Sequence, residues 1–475
     1  MRRCLTVVRG LAAIGCASLA ACQTFSQDGG MSVTADIAGK ILNKGVVAIR
    51  SEEDAAAARA EVERLLKRPL TVDSAVQIAL LNNRGLQAAY NELGIAEAVR
   101  VQQSLPPNPH FSVTRMTGSV ETEIERQIVA NILALATLPV RSEIAAERFH
   151  QAQLAAALAT LRVAAEARRA IYRAVAAQET VGLFTQANEA AETMAQLAKR
   201  LGETGAMNKL DQAREQAFHS DIVIRLASAQ QRASRERERL VRVLGLWGNN
   251  LKFALPKSLP PLPKRALALP AAEQEAVRRR VDLQIARIEL DTLAKAYGLT
   301  NATRFINVLE AGYADKLTKE KATGESIRDR GFTVSFEVPM FDFGETRVRE
   351  AEQTYMQAVN RLAQKAVNVR SEAREAYRNY RTSYDIATHY QREVLPLRKI
   401  ISDEMMLRYG AMQVDVFTLL LEAQQKLNAS AAASDAMRDF WLASTDLSTA
   451  MTGGGMDPGE APNIALPGPG GSAGH

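Results

Sequence analysis

The chain has 475 residues, of which 24% are charged and only 5% aromatic, with a net charge of +6 to which Arg2, Arg3 and Arg9 contribute three. Charges of both signs are interspersed rather than striped, which excludes a basic nucleic-acid face read from the high pI alone. All three cysteines, Cys4, Cys16 and Cys22, fall within the first 22 residues, so no disulfide framework holds the remainder together.

Residues 1–21 combine a basic start, an apolar run too short to span a bilayer as a mature helix, and small residues before a cysteine, the layout of an export signal. Leu19-Ala20-Ala21-Cys22 resembles a bacterial lipobox. That resemblance implies cleavage before Cys22 and lipidation of Cys22, and Gln23 in the next position implies sorting to the outer membrane. An ordinary cleaved signal that leaves Cys22 as a free thiol fits the same residues. No later apolar run is long enough for a transmembrane helix.

The remaining chain repeats itself. A shift of 197 positions lays Ala75 on Ala272, Ala79 on Ala276, Leu86 on Leu283, Gln87 on Gln284, Ala89 on Ala286 and Leu93 on Leu290; further on, Gly205 is read as facing Gly410. The expected organisation is a lipidated segment with a first helix at 22–69, a first repeat at 70–250, a proline-rich linker at 251–270, a second repeat at 271–452, and a disordered tail at 453–475.

Each repeat reads as two short helices, two strands and two long helices. Short helices over about 71–104 stop at Pro106-Pro107-Asn108-Pro109, where amide donors are missing. His110 to Met116 alternates as a strand. The second strand, somewhere within Ile128–Leu138, is ambiguous, because Ile132-Leu133-Ala134-Leu135-Ala136 suits strand or helix. In the second repeat Phe332, Val334, Phe336 and Val338 alternate with Thr333, Ser335 and Glu337, giving one apolar and one polar face. The charged stretch 314–330 before it suits a solvated hairpin loop. Long helices are expected over about 141–201 and 345–409, each a rod on the order of 90 Å at roughly 1.5 Å per residue. Leu154, Leu158, Leu161 and Ala165, and Leu362, Ala366, Val369, Ala373, Ala376 and Tyr380, space out as coiled-coil seams. Each rod ends at a glycine turn and is followed by a return helix.

Leu70-Thr71-Val72-Asp73-Ser74-Ala75 through Asn82-Asn83, with Phe336-Glu337-Val338-Pro339-Met340-Phe341-Asp342-Phe343-Gly344, resembles the signature stretches of TolC-type outer-membrane efflux ducts over roughly residues 65–452. The resemblance implies a mainly α fold with a small β contribution. It implies a homotrimer in which long antiparallel coiled-coil helices form a periplasmic tunnel and each protomer gives four strands to one shared 12-stranded transmembrane barrel. Physical reasoning meets it part-way: four strands with an apolar face cannot close a barrel, and open edges are not tolerated in hydrocarbon, so other copies of the chain must complete the sheet. Phe332, Val334, Phe336 and Val338 would then touch lipid and the polar face would line water. A soluble sheet with one buried face is the alternative.

The resemblance further implies a channel that conducts substrates passively from an inner-membrane pump and its periplasmic adapter to the exterior, lipid-anchored in the outer membrane with a periplasmic extension. The adapter would dock on two tips, Gly202, Glu203, Thr204, Gly205, Ala206 and Met207 in one turn and Tyr409, Gly410, Ala411, Met412 and Gln413 in the other. Asp211, Asp415 and Glu422 are candidates for narrowing the aperture, and helix capping explains Asp211 and Asp415 equally well. Met405, Met406 and Met412 could guide copper(I) or simply pack. His110, His150, His219, His389 and His475 show no ligand spacing, and no phosphate-cradling loop or nucleophile elbow occurs, so neither enzyme activity, a metal site nor a cofactor is expected. A pore-free structural coiled-coil lipoprotein or adapter, and a phage or toxin receptor acting through the loops 117–123 and 314–330, are the competing readings.

Overall fold

The computed structural model describes residues 25–453. The leader, with Cys22, and the tail from 454 onward lie outside the described residues. Two helices, α1 (Met31–Leu42) and α2 (Glu52–Leu66), stand where the sequence suggests one. The first repeat follows as α3 (Val72–Asn82), α4 (Arg84–Ser104), β1 (His110–Thr117), β2 (Glu121–Asn131), the short α5 (Ile132–Ala136), α6 (Leu138–Glu203) and α7 (Lys209–Leu244). The second is α8 (Ala272–Arg279), α9 (Val281–Ala302), β3 (Val308–Glu320), β4 (Ser326–Glu337), α10 (Glu345–His389), a π turn at Tyr390–Val394, α11 (Leu395–Gly410) and α12 (Val416–Thr452).

The repeat extends to its irregularities. Asn83 ends α3 and Arg280 ends α8 at the same offset that aligns the two sequences; both swing to extended backbone, and their N–H groups donate to Ala79 O (2.9 Å) and Ala276 O (3.0 Å). Each repeat thus kinks at one matched place between its short helices.

The chain divides into two compact units, each drawn from both repeats. One comprises residues up to 33 with 90–156 and 282–366 and contains the sheet; the other comprises 34–89, 157–281 and 367 onward and is helical among its described residues. The sequence halves are therefore not the compact bodies, because equivalent elements of the two halves are shared out between them.

In the helical unit the linker is strapped down. Tyr380, Tyr384, Ala387, Ala436, Phe440 and Leu447 form a buried cluster against which Leu262, Ala266 and Leu269 pack. Proline removes donors from the linker, and the aromatic side chains supply them: Tyr384 donates to Pro263 O (3.0 Å) and Trp441 Nε1 to Pro260 O (3.0 Å). In return, the hydroxyls of Tyr380 and Tyr377 accept from the amides of Leu267 (3.0 Å) and Leu269 (3.3 Å). The tyrosines of α10 thus pack and satisfy backbone. The same unit fastens its helix ends through the Asn82-Asn83 pair, whose side-chain amides donate to Gly245 O (2.6 Å), Leu244 O (3.2 Å) and Val243 O (2.9 Å) at the end of α7. Gly245 sits there at φ +66°, where a Cβ would lie 2.6 Å from Asn82 O.

Both seams read from the spacing point inward: Leu154, Leu161, Ala165, Val369, Ala373 and Tyr380 are buried and their seam partners half-buried. The second rod, however, is not one uniform helix. Pro396 lies within it, and a π turn at Tyr390–Val394 precedes Leu395. A proline ring clashes with the carbonyl four residues before it and lacks a donor, and a wider turn immediately upstream relieves both. Gly182, by contrast, is absorbed within the 66-residue α6 without a break.

The sheet runs β1-β2-β3-β4, every pair antiparallel, so β1 and β4 are open edges. Two expectations are corrected here. The second strand is Glu121–Asn131, and the chain turns helical at Ile132 because the Asn131 side chain caps α5, accepting from Ala134 N at 2.7 Å. The stretch 314–330 is not a loop: β3 and β4 pair through most of it, from Ala314↔Gly331 to Lys319↔Ser326. Its charges mislead, because they pair across strands, Asp315 with Arg328 and Lys316 with Glu123, and so are accommodated within the sheet.

Candidate functional site

Strand parity and register sort the sheet into two faces. On one, Phe111, Ile128, Tyr313 and Phe332 form a row across all four strands; Ala130, Ala311 and Val334 form the next, and Leu309 pairs with Phe336 beyond it. Phe332 is 88% exposed, and Val113, Val334 and Phe336 are exposed as well. The opposite face carries Ser112, Thr114, Gln127, Glu125, Glu123, Glu310, Thr318, Thr333, Ser335 and Glu337. Over these rows one side of the sheet is thus apolar, and the other polar and predominantly acidic. The segment after β4 is set by Gly344, at φ +72°, where a Cβ would meet Arg304 O at 2.1 Å, and by Asp342, which accepts from Gly344 N (3.0 Å) and from the Thr346 hydroxyl. Met340, Phe341 and Phe343 are exposed there.

The two helix turns meet in the helical unit. In the first, Gly205 adopts φ +74°, and the amides of Ala206 (2.8 Å) and Met207 (3.2 Å) close onto Leu201 O. Asn208 caps α7, accepting from Asp211 N at 2.8 Å. In the second, Asp415 caps α12, accepting from Thr418 N at 2.8 Å, and the left-handed position is taken by Met412 at φ +57°. The caps Asn208 and Asp415 align Gly205 with Met412, three residues before each cap, and not with Gly410, whose φ is ordinary. That corrects the pairing of the turns: the second repeat uses a methionine where the first uses glycine.

A cleft of about 570 Å³ lies between the turns, lined by Met207, Asn208, Asp211, Arg214, Glu215, Tyr409, Met412 and Asp415 among others. Gly202 and Glu203 end α6 and Thr204 opens the first turn, while Ala411 and Gln413 belong to the second; Gln413 N donates to Arg408 O at 2.9 Å. Of the three aperture candidates, Asp415 is a helix cap, and its carboxyl is held below the usual range first by the Thr418 side chain and then by the Thr418 amide. Asp211 receives the Asn208 side-chain amide (2.6 Å) and pairs with Arg214 (3.2 Å). Glu422 is only 5% exposed and bound by Arg398 at 3.2 Å. Sequence reasoning missed Arg398 as its partner, along with Glu215, 4% exposed, whose Oε2 has no hydrogen-bond partner. Burial, and secondarily the Asp211 charge, push the Glu215 carboxyl above its ordinary value. Glu215 falls four residues after Asp211, and that helical spacing was the signal available. Among the described residues no group of three His, Cys, Asp or Glu side chains is placed to hold a metal ion.

Residues 272–402 match the family model described as outer membrane efflux protein. Among solved structures, the chain superimposes on the Campylobacter jejuni CmeC outer membrane channel with a TM-score of 0.69 at 15% identity, covering 81% of this chain and 86% of that one. It has the fold of the TolC-type outer-membrane efflux proteins. A structure of CusC, described in terms of folding and transmembrane channel formation, gives a TM-score of 0.67 at 17% identity, covering 81% of this chain and 92% of CusC. By sequence, the cobalt-zinc-cadmium resistance protein CzcC of Cupriavidus metallidurans is 26% identical over 245 residues, which are 50% of this chain and 56% of CzcC. The match thus spans about half the length of that relative. The resemblance read from the Leu70–Asn83 and Phe336–Gly344 stretches is borne out, as is a mainly helical fold with one small sheet.

Proposed function

We propose that the protein is the outer-membrane channel of a tripartite efflux system, passively conducting substrates delivered by an inner-membrane pump and a periplasmic adapter. The observation that carries this reading is the sheet: four up-and-down strands with both edges open and an apolar face that is exposed on the edge strands β1 and β4, in a TolC-type efflux fold. A row of unpaired edge groups beside an uncovered apolar face is unstable in water and in lipid alike, and pairing β4 of one copy with β1 of the next removes both edges and keeps the antiparallel order. Three copies make the 12-stranded barrel that the family resemblance implies. Apolar side chains on the helices support the same assembly, since Ile224, Val367 and Ile400 are exposed in the single chain.

In this reading Cys22 carries lipid, the sheet lies in the outer membrane, and the helices extend into the periplasm. The turns at 202–207 and 409–413 take the adapter, and Asp211, Asp415 and Glu422 lie near the entrance. Such a protein moves solutes and catalyses nothing. A pore-free coiled-coil lipoprotein would have no use for an amphipathic four-stranded sheet. Planar-bilayer conductance of the purified chain, with heat-modifiable migration of a trimer, tests the channel reading; a monomer in mild detergent that opens no pores refutes it. Cysteines at Thr204 and Ala411 that cross-link to no inner-membrane partner in cells would refute the adapter-docking role of the turns.

A further inference from the structure

The apolar face of the sheet ends abruptly. Next to the row containing Tyr313 and Phe332, whose rings lie 5.4 Å apart, the following row toward the hairpin turns reads Val113, Arg126, Asp315 and Arg330, and the one beyond it holds Arg328 opposite Leu317. Three guanidinium groups therefore surround one carboxylate on the same face as the aromatic side chains. Arg328 grips Asp315 with two bonds of 2.7 and 2.6 Å, while Arg330 and Arg126 stand off at 3.6 and 3.8 Å. Asp315 is only 8% exposed, yet about half or more of each arginine side chain remains open. The cluster carries two positive charges more than it neutralises.

On a face read as lipid-exposed, that excess has a chemical meaning. Arginine at the edge of hydrocarbon is unfavourable unless it meets an anion, and guanidinium forks match phosphate oxygens in pairs. We infer that Arg126, Arg330 and the outer edge of Arg328 form a binding surface for the phosphate groups of a phosphorylated outer-leaflet glycolipid. The acyl chains of that lipid lie along Tyr313, Phe332 and the apolar rows beneath. Asp315 holds Arg328 and gathers the other two around the same carboxylate. This inference rests on the channel reading above, and it adds a lipid class and a site to it.

The test uses the full chain in detergent and needs no variant for its first arm. Native mass spectrometry compares binding of bisphosphorylated lipid A with binding of the same lipid after removal of both phosphates. The second arm is Arg126→Gln with Arg330→Gln, which leaves the Arg328–Asp315 pair intact. Near an anionic surface each basic side chain contributes about a factor of five, so the double variant binds the phosphorylated lipid about thirtyfold more weakly, as does the unmodified chain with the dephosphorylated lipid. Equal affinity for the two lipids, or a double variant that folds and binds like the original, overturns the inference. Conductance in neutral phosphatidylcholine bilayers separates the two readings. Pores without phosphate-dependent lipid binding sink only the lipid site; absence of pores sinks the channel.

Discussion

Val334 and Thr333 are adjacent in β4 and point to opposite faces, so the same charge placed at each asks which side meets hydrocarbon. Val334 stands four residues from Arg330 on one side and four from Val338 on the other. At about 3.3 Å per residue and a tilt near 40°, the basic row lies roughly 10 Å from Val334 along the membrane normal. That is close to half of the ~25 Å apolar band of outer-membrane barrels, which puts Val334 near the midplane of the proposed barrel. Val334→Arg is expected to cost about 2–4 kcal/mol per protomer, a loss of on the order of a hundredfold in folding equilibrium, whereas Thr333→Arg changes folding by less than ~1 kcal/mol and alters conductance instead. Urea titration of protein folded into phosphatidylcholine vesicles, followed by heat-modifiable migration, measures the first; single-channel current measures the second. Equal folding costs for the two substitutions would refute the assignment of the faces, and a larger cost for Thr333→Arg would reverse it.

Gly245→Ala must place a side chain at φ +66° against Asn82 O, and a loss of at least ~2 kcal/mol in thermal or denaturant unfolding is expected, with the Asn82 and Asn83 bonds to α7 broken. Met412 is 94% exposed at φ +57°, so Met412→Gly relieves backbone strain without losing packing and should stabilise by about 0.5 kcal/mol after the added flexibility of the unfolded chain is counted. Because the Glu215 carboxyl is raised by burial, the folded state keeps a proton that the unfolded state has released, and stability falls as pH rises from the ordinary carboxylate range through the raised value. Glu215→Gln should therefore be more stable than the parent at pH 7, with the difference gone below about pH 4; an unchanged pH profile of unfolding would contradict this.

Much of the fold was legible because it rests on local signals. Prolines at 106–109 stop helices, the spacing of Val369, Ala373 and Tyr380 marks an inward stripe, and Ala79 and Ala276 sit at the same turn of matched helices. What stayed hidden depends on partners distant in sequence. The end of β2 is decided by a single side-chain cap from Asn131, which competes on equal terms with the β-propensity of Ile132 and Leu133. The outer halves of β3 and β4 looked like a loop because Asp315, Arg328 and Arg330 are charged, and only their register shows that the arginines gather around the one carboxylate across strands. At the turns, Gly410 attracted attention as a glycine, but the left-handed position fell on Met412, because the cap at Asp415 fixes where the chain must reverse. Glu422 was recognisable as acidic, while its engagement by Arg398 required the pairing of α11 with α12.

The strap of Tyr377, Tyr380, Tyr384 and Trp441 over the residues around Pro260 to Leu269 has a bearing on how the two halves of the chain can be recombined. An ordinary tether between two segments is a convenient cut point, replaceable by any flexible sequence. Here the tether's amides and carbonyls are matched to particular rings on α10 and α12, so a chimera that borrows the second half of a relative must bring that relative's own connecting segment with it. Opening the chain at the tether to make new termini would uncover a tyrosine-rich seam in place of a harmless surface.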